Sequence, residues 1–215
     1  MEELINQLIK EGYLKTPLII EAFRKIKRED FVLEDLRGEA DINAPLPIGY
    51  GQTISQPLTV AFMLELLQPQ PGEKILDIGS GSGWQTALLA YCVSHQGKPG
   101  KVFAIERIPE LVEFGQSNVA KYNFLEKEIV EFILGDGSRG YPNIAARPEL
   151  AEGFDKIIAA ASAINWPEEW KKQLKIEGRI VTPIKESIWL FIKKSETKFE
   201  EQEFPGFAFV PLIED

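Results

Sequence analysis

At 215 residues the chain is long enough for one substantial core, and its apolar fraction of 44% is ordinary for a globular protein rather than a disordered one. No apolar run approaches the roughly 20 residues a membrane-spanning helix needs, the acidic start Met1-Glu2-Glu3-Leu4 is unlike a secretory signal, and one cysteine cannot close an internal disulfide. The formal net charge of −9 opposes sequence-independent attraction to a phosphate backbone, which rests on Lys and Arg. The expectations are a single domain over residues 1–215, a cytoplasmic monomer, and neither nucleic acid nor membrane as partner. Lys171, Lys172 and Lys175 come nearest to a basic patch, and a solvated helix face explains them more simply.

Along the chain, Leu4, Ile5, Leu8 and Ile9 recur with helical spacing. So do Leu18, Ile19, Ala22, Phe23 and Ile26, after Thr16-Pro17, an N-cap with proline at the first helical position. Residues 1–45 therefore read as a helical part of two helices and a loop. "PIGYGQTISQP" (47–57) has glycines and bracketing prolines that disfavour a helix or a central strand, and residues 46–58 read as a loop. Val60, Met63, Leu64 and Leu67 then predict a helix ended by Pro69 and Pro71.

From there short apolar runs alternate with amphipathic ones. KILDIG (74–79), KVFAIE (101–106), IVEFILG (129–135), FDKIIAAA (154–161) and GRIVTPI (178–184) read as buried strands, and 83–94, 109–122 and 167–175 as helices. Strands alternating with helices imply an α/β fold: a doubly wound, mostly parallel, Rossmann-like sheet covered on both faces. SIWLFIKK (187–194) and FAFVPL (207–212), flanking a charged turn-like stretch, predict an antiparallel C-terminal edge.

The first of these strands runs into Asp77-Ile78-Gly79-Ser80-Gly81-Ser82-Gly83, where glycines let the backbone turn tightly at the carboxyl ends of the strands. The spacing is G-x-G-x-G, not the G-x-G-x-x-G of dinucleotide binders, and no phosphate-binding P-loop occurs, which tilts the ligand away from a pyrophosphate. Glu106 ends the second strand, where a carboxylate can accept from the two hydroxyls of a ribose; a solvated loop glutamate is the plainer reading. Asp136, between Gly135 and Gly137, can accept from an adenine amino group or simply serve a turn. His95, the only histidine, reads as a surface residue beyond a helix and Cys92 as buried packing, so there is neither a catalytic His nor a zinc constellation.

"LDIGSGSG", strand-final Glu106 and "GDG" together resemble class I S-adenosylmethionine-dependent methyltransferases. "LPIGYGQTISQP" ahead of that motif resembles one family among them, the protein-L-isoaspartate O-methyltransferases, over a likeness running from "EDFV" (29–32) to "FVPL" (209–212). The resemblance implies S-adenosyl-L-methionine as cofactor and isoaspartyl proteins and peptides as substrates, methylated on the isoaspartyl carboxylate as the start of repair. It implies Ser55 as the active-site residue, in a loop that forms a lid over the cofactor. It further implies a cofactor site of Thr53, Ile54, Ser55, Asp77, Gly79, Ser80, Gly81, Gly83, Glu106, Arg107, Asp136 and Gly137, and substrate contacts from Ile54, Ser55 and Val210.

Two departures stand out. Residues 143–153, "NIAARPELAEG", read as an insertion before the next strand, and "IEGRIVTPIKES" lacks a second glycine, so the strand edges near the substrate are expected to differ. The insertion is the feature that favours an alternative, a class I methyltransferase acting on a small carboxylate or on peptide aspartate. A catalytically silent cofactor-binding protein is a third reading, opposed by the intact Gly79, Gly81, Glu106 and Asp136.

Overall fold

In a computed structural model of the chain, described over residues 1–163 and 168–213, the two leading periodic segments form α1 (Glu2–Lys10) and α2 (Pro17–Lys25). Two short 3-10 turns follow, Arg28–Phe31 and Glu34–Glu39. Thr16 precedes Pro17 at the start of α2, and its hydroxyl donates to Glu65 Oε2 at 2.7 Å, tying that end to the helix Pro57–Leu67.

The stretch expected as a loop is a hairpin, β1 (Leu46–Gly49) paired antiparallel to β2 (Gln52–Ile54). Its two tip residues, Tyr50 and Gly51, both have positive φ, 55° and 71°, the signature of the turns that match strand twist. The prolines that forbid a central strand are tolerated because this ribbon stands apart from the main sheet. α3 (Pro57–Leu67) follows and stops at Gln68, whose left-handed backbone precedes Pro69.

The alternating strands and helices are β3 (Lys74–Ile78), α4 (Trp84–Val93), β4 (Lys101–Glu106), α5 (Pro109–Ala120), β5 (Val130–Leu134), β6 (Phe154–Ala159), α6 (Glu168–Gln173) and β7 (Leu174–Ile184). Residue 167, the expected start of α6, lies outside the described residues. Lys171 and Lys172 on α6 and Lys175 just after it each have a carboxylate neighbour, Glu168, Glu169 and Asp155, so they form no bare basic patch. Two antiparallel strands, β8 (Ser187–Lys193) and β9 (Phe199–Pro205), complete a seven-stranded sheet in the order β5-β4-β3-β6-β7-β8-β9. Successive residues point to opposite faces, so Ile75, Val102 and Ile158 pack under α1 to α5, while Leu76, Phe103 and Ile157 pack with Trp170 and Leu150 on the other face. This is the expected Rossmann-like α/β sheet with an antiparallel edge.

Two expectations need correction. The last strand is the charged FEEQEFP, not FAFVPL: every glutamate in β9 is exposed, as suits an edge strand that must not recruit another chain. Residues 207–212 instead run past the carboxyl ends of β7 and β6, where the Phe207 N–H donates to the Glu186 carbonyl and Pro211 bridges Ser162, with Phe207 stacked on Phe62 at 5.2 Å. The segment 143–153 also lies away from the strand ends expected to meet substrate. Lys74 Nζ donates to the Glu149 carbonyl, Arg147 pairs with Glu131 at 2.6 Å, and Leu150 is buried, so the segment caps the amino ends of β3 and β5 and covers the second face.

The chain lays β3, β4 and β5 outward in one direction, then returns to place β6 on the other side of β3. That reversal opens a crevice beyond the carboxyl end of β3, where open α/β sheets take their ligands.

Candidate active site

The turn after β3 takes positive φ at Gly79 (76°) and Gly81 (51°). Four of its N–H groups are already used: Gly79 and Ser80 donate to the Ile105 carbonyl (2.9 and 3.1 Å), Gly81 to Glu106 Oε2 (3.0 Å) and Gly83 to the Ser80 carbonyl (2.8 Å). A turn with most of its donors spent inside the protein is a poor nest for a pyrophosphate, in line with the spacing of the motif.

Glu106 is buried and holds three main-chain N–H groups, because Oε1 also accepts from Arg107 (2.8 Å) and Ile108 (3.0 Å). Oε2 keeps acceptor capacity beyond its bond to Gly81, since each carboxylate oxygen offers two lone-pair sites. Across the crevice, Asp136 accepts from the Ser138 N–H and hydroxyl, both at 2.8 Å. The next residue must be glycine: a Cβ on Gly137 would sit 2.5 Å from Ile78 Cγ2. The buried Trp170 indole donates to the Gly137 carbonyl (2.9 Å) and fixes this turn from below, a role no local sequence signal announced.

These groups line one cleft, which encloses about 820 Å³ counting its open mouth, a size that suits a nucleoside-sized ligand. Gly79, Gly81, Glu106, Arg107, Asp136 and Gly137 form one side, and Thr53 and Tyr50 of the hairpin face them with Val210 and Leu212 from the segment 207–212. A second cavity adjoins it, lined by Ser55, Gln56 and Thr59 at the start of α3 together with Pro45, Ala208 and Phe209. Thr53, Ala160 and Val210 belong to both walls. Among the described residues, no charged side chain lines the second cavity.

Four residues expected at the cofactor line neither space. Asp77 is fully buried and its carboxylate accepts from Gln85 Nε2 (2.8 Å) and Thr86 Oγ1 (2.6 Å), so it anchors α4 to the turn; burial raises it to about 6, against the pull of those two donors. Gly83 answers to helix packing, since a Cβ there would meet Val119 Cγ2 at 2.9 Å and the Gly115 carbonyl at 3.0 Å. Ile54 is core, and Ser80 is buried with a hydroxyl that has no partner among the described residues. Val210 has its carbonyl engaged already, accepting from the Ser162 N–H at 2.8 Å. His95 sits past the far end of α4, and burial pushes the Cys92 thiol up to about 12.

Sequence reasoning missed Arg28. It is wholly buried, donates to the carbonyls of Ala40 (3.0 Å), Ile42 (3.2 Å), Ala44 (2.8 Å) and Ser55 (3.1 Å), and lies 5.4 Å from the centre of the Trp84 ring. Desolvation lowers its guanidinium to about 10, which leaves it charged at neutral pH.

The donor set fits an adenosine-bearing cofactor. A strand-final carboxylate is available for a diol, an aspartate turn for an amino group, apolar walls at Ile78, Ile105 and Ile108 flank a base, and a Cβ on Gly81 would narrow the space toward Ile48 Cδ1, 3.2 Å away. A family model for protein-L-isoaspartate(D-aspartate) O-methyltransferase matches residues 1–215. Protein-L-isoaspartate O-methyltransferases from Methanopyrus kandleri and Ignicoccus hospitalis are 41% and 42% identical, over 99% of this chain in both cases and over 90% and 97% of theirs. Among solved structures, a beta-aspartate methyltransferase from Plasmodium falciparum in complex with S-adenosyl-L-homocysteine superposes with a TM-score of 0.87 over 99% of this chain and 98% of its own, at 24% identity, and so supports the fold. A further protein-L-isoaspartate O-methyltransferase structure, 27% identical, superposes with a TM-score of 0.81 over 98% of this chain and 65% of its own. The chain belongs to the protein-L-isoaspartate(D-aspartate) O-methyltransferase family.

Proposed function

We propose that the two adjoining cavities divide the family's reaction between them, the cleft over Gly79, Gly81, Glu106 and Asp136 holding the methyl donor and the Ser55 cavity holding the acceptor. The reaction itself is S-adenosylmethionine-dependent methyl transfer to the carboxylate of L-isoaspartyl residues in proteins and peptides, and the chain is a methyltransferase of that class. The observation that carries the assignment of the cavities is their common wall of Thr53, Ala160 and Val210, which lets two ligands meet without either leaving its own pocket.

Bound in the cleft, S-adenosylmethionine supplies an electrophilic methyl group on a sulfonium. Glu106 accepts from the ribose hydroxyls and Asp136 from the adenine amino group, with Arg107 at the rim beside them. The acceptor carboxylate has an ordinary pKa of about 4 and is ionised at neutral pH, so no general base is needed; the neutral lining of the second cavity supports this. Ser55 orients one carboxylate oxygen with its hydroxyl and does not act as a nucleophile. Holding that oxygen in line in a dry site is worth up to about 7–11 kcal/mol in favourable systems. Thr53 and Tyr50 of the hairpin exclude water from the junction, and the Val210 N–H, whose carbonyl is already bonded to Ser162, is left to read the extended peptide main chain.

The same reading takes the chain as one methyltransferase domain acting as a cytoplasmic monomer, without nucleic acid; its charge of −9 supports the last point. No helix among the described residues is long and apolar enough to cross a membrane. Incubation with labelled S-adenosylmethionine and an isoaspartyl peptide beside its aspartyl twin tests the function. A base-labile methyl ester is expected on the isoaspartyl peptide alone, and equal labelling of the twin would favour the wider class of carboxyl methyltransferases.

A further inference from the structure

We infer that Thr59 is a second hydroxyl donor to the substrate, binding the acceptor carboxylate oxygen that Ser55 does not orient. The inference rests on the assignment of the Ser55 cavity to the acceptor.

Thr59 is 8% exposed and lines that cavity. Neither its hydroxyl nor that of Ser55 has a hydrogen-bond partner among the described residues, and neither atom is sealed off from the cavity. A threonine in a helix commonly bonds back to the carbonyl four residues earlier. Here that carbonyl belongs to Ser55 and accepts from Arg28 at 3.1 Å, while the Thr59 hydroxyl is left for the cavity. A nearly buried hydroxyl without a partner is costly unless something completes it.

The surroundings say what completes it. Thr59 is the third residue of α3, an eleven-residue helix, and lies in its first turn. In that turn Pro57 has no N–H, the Leu58 N–H donates to Asn43 Oδ1 at 3.0 Å, and the Thr59 N–H finds no acceptor among the described residues. The positive end of the helix therefore favours negative charge at this spot. With no cationic side chain among the described residues of the lining, an anionic acceptor is held by hydroxyls and this helix end. Ser55 and Thr59 flank the entry to α3 and give the carboxylate one donor per oxygen.

The two donors differ in what they do. As the methyl transfers, the acceptor loses its negative charge, so a donor to the spectator oxygen binds the ground state at least as well as the transition state and its loss appears in KM. Thr59→Val removes the hydroxyl and keeps the shape. It is expected to raise KM for an isoaspartyl peptide about 10- to 100-fold, the scale of a hydrogen bond to a charged group, with kcat within a few-fold of wild type. Calorimetry with the same peptide and enzyme saturated with S-adenosylhomocysteine should show the matching loss of peptide affinity, the affinity for S-adenosylhomocysteine should be unchanged, and Thr59→Ser should recover most of the loss. Unchanged KM and peptide affinity in Thr59→Val, or equal weakening of S-adenosylhomocysteine binding, would overturn the inference. Wild-type enzyme that does not methylate the isoaspartyl peptide would instead sink the underlying assignment.

Discussion

Arg28 Nη2 donates to the Ser55 carbonyl at 3.1 Å, joining two residues 27 positions apart. The same guanidinium satisfies the carbonyls of Ala40, Ile42 and Ala44, so the whole approach to the hairpin is strung on one buried cation. Its charge is balanced by carbonyl dipoles and the Trp84 ring, with Asp41 the carboxylate that raises its pKa against desolvation. Arg28→Met removes the donors and leaves the carbonyls buried. Urea titration should show a loss of about 3–5 kcal/mol, the scale for breaking a buried charged network, and chymotrypsin should cut the 40–56 segment faster than in wild type. Arg28→Lys, with a compact head in place of the planar fork, should recover only part of the loss.

The Ser55 assignment predicts a different pattern. Ser55→Ala should lower kcat roughly 10- to 1000-fold, the loss of one orienting donor or less, while calorimetry with S-adenosylhomocysteine should give an affinity close to wild type. A fully active variant would return Ser55 to a merely structural place in the turn before α3.

Much of this was legible from the residues. β3, β4 and β6 announced themselves because strands buried on both faces must be apolar throughout, and turn residues bound them. Glu106 stood out because it ends β4, and Asp136 because it sits in the glycine-flanked turn just after β5, both at the rim where open α/β sheets take ligands. β9 was hidden because an edge strand is held by main-chain pairing to β8 and can carry glutamate on either face. FAFVPL misled for the opposite reason: its apolar side chains pack on Phe62 and line the cleft, and need no strand to do so. Arg28 and Thr59 carry no local pattern at all. Their meaning lies in which carbonyl bonds to which donor, and that exists only once the chain has folded.

In the proposed reading the Glu106 carboxylate holds the ribose as well as three main-chain N–H groups, so two substitutions should separate. Glu106→Ala releases the Gly81, Arg107 and Ile108 N–H groups as well as the ribose, and S-adenosylhomocysteine binding should become undetectable by calorimetry, with a measurable fall in stability. Glu106→Gln keeps one carbonyl acceptor for the loop and should bind more weakly than wild type by about 10-fold or more, the cost of about 1–3 kcal/mol for unpaired polar groups. Equal affinity in Glu106→Gln and wild type would place the ribose elsewhere.

Asp77 gives a pH signature. Burial raises its pKa from 3.8 to about 6, so between those values the folded state holds a proton that the unfolded state has lost. Stability then falls as pH rises across that window, by about 3 kcal/mol in total for a shift of this size, and the cost is fully present above pH 6. Asp77→Asn cannot ionise, and its amide can still accept from Gln85 while donating to the Thr86 hydroxyl turned around. Denaturant titrations at pH 5 and pH 8 should therefore show the variant gaining on wild type at the higher pH. Parallel profiles would mean that the wild-type carboxyl is neutral or ionised throughout.

The hairpin supplies the last test, because β1 and β2 form one wall of the proposed donor cleft. Ile48, Gln52 and Thr53 face the cleft, and Tyr50 beside them is 59% exposed. Trypsin has no site between residues 47 and 57, but chymotrypsin can cut after Tyr50 if the ribbon opens. A two-stranded ribbon is marginal by itself, so its order depends on what it covers. If the cleft holds the methyl donor as proposed, bound S-adenosylhomocysteine lies against Ile48 and Thr53 and should suppress openings of the ribbon; cleavage after Tyr50 should slow several-fold in proportion to occupancy. Glu106→Ala, expected to lose the ligand, should be cut at the same rate with and without it. Ligand-independent cleavage of wild type would show that the hairpin neither closes over the donor nor senses it, and Thr53 and Tyr50 would then be walls without a gate.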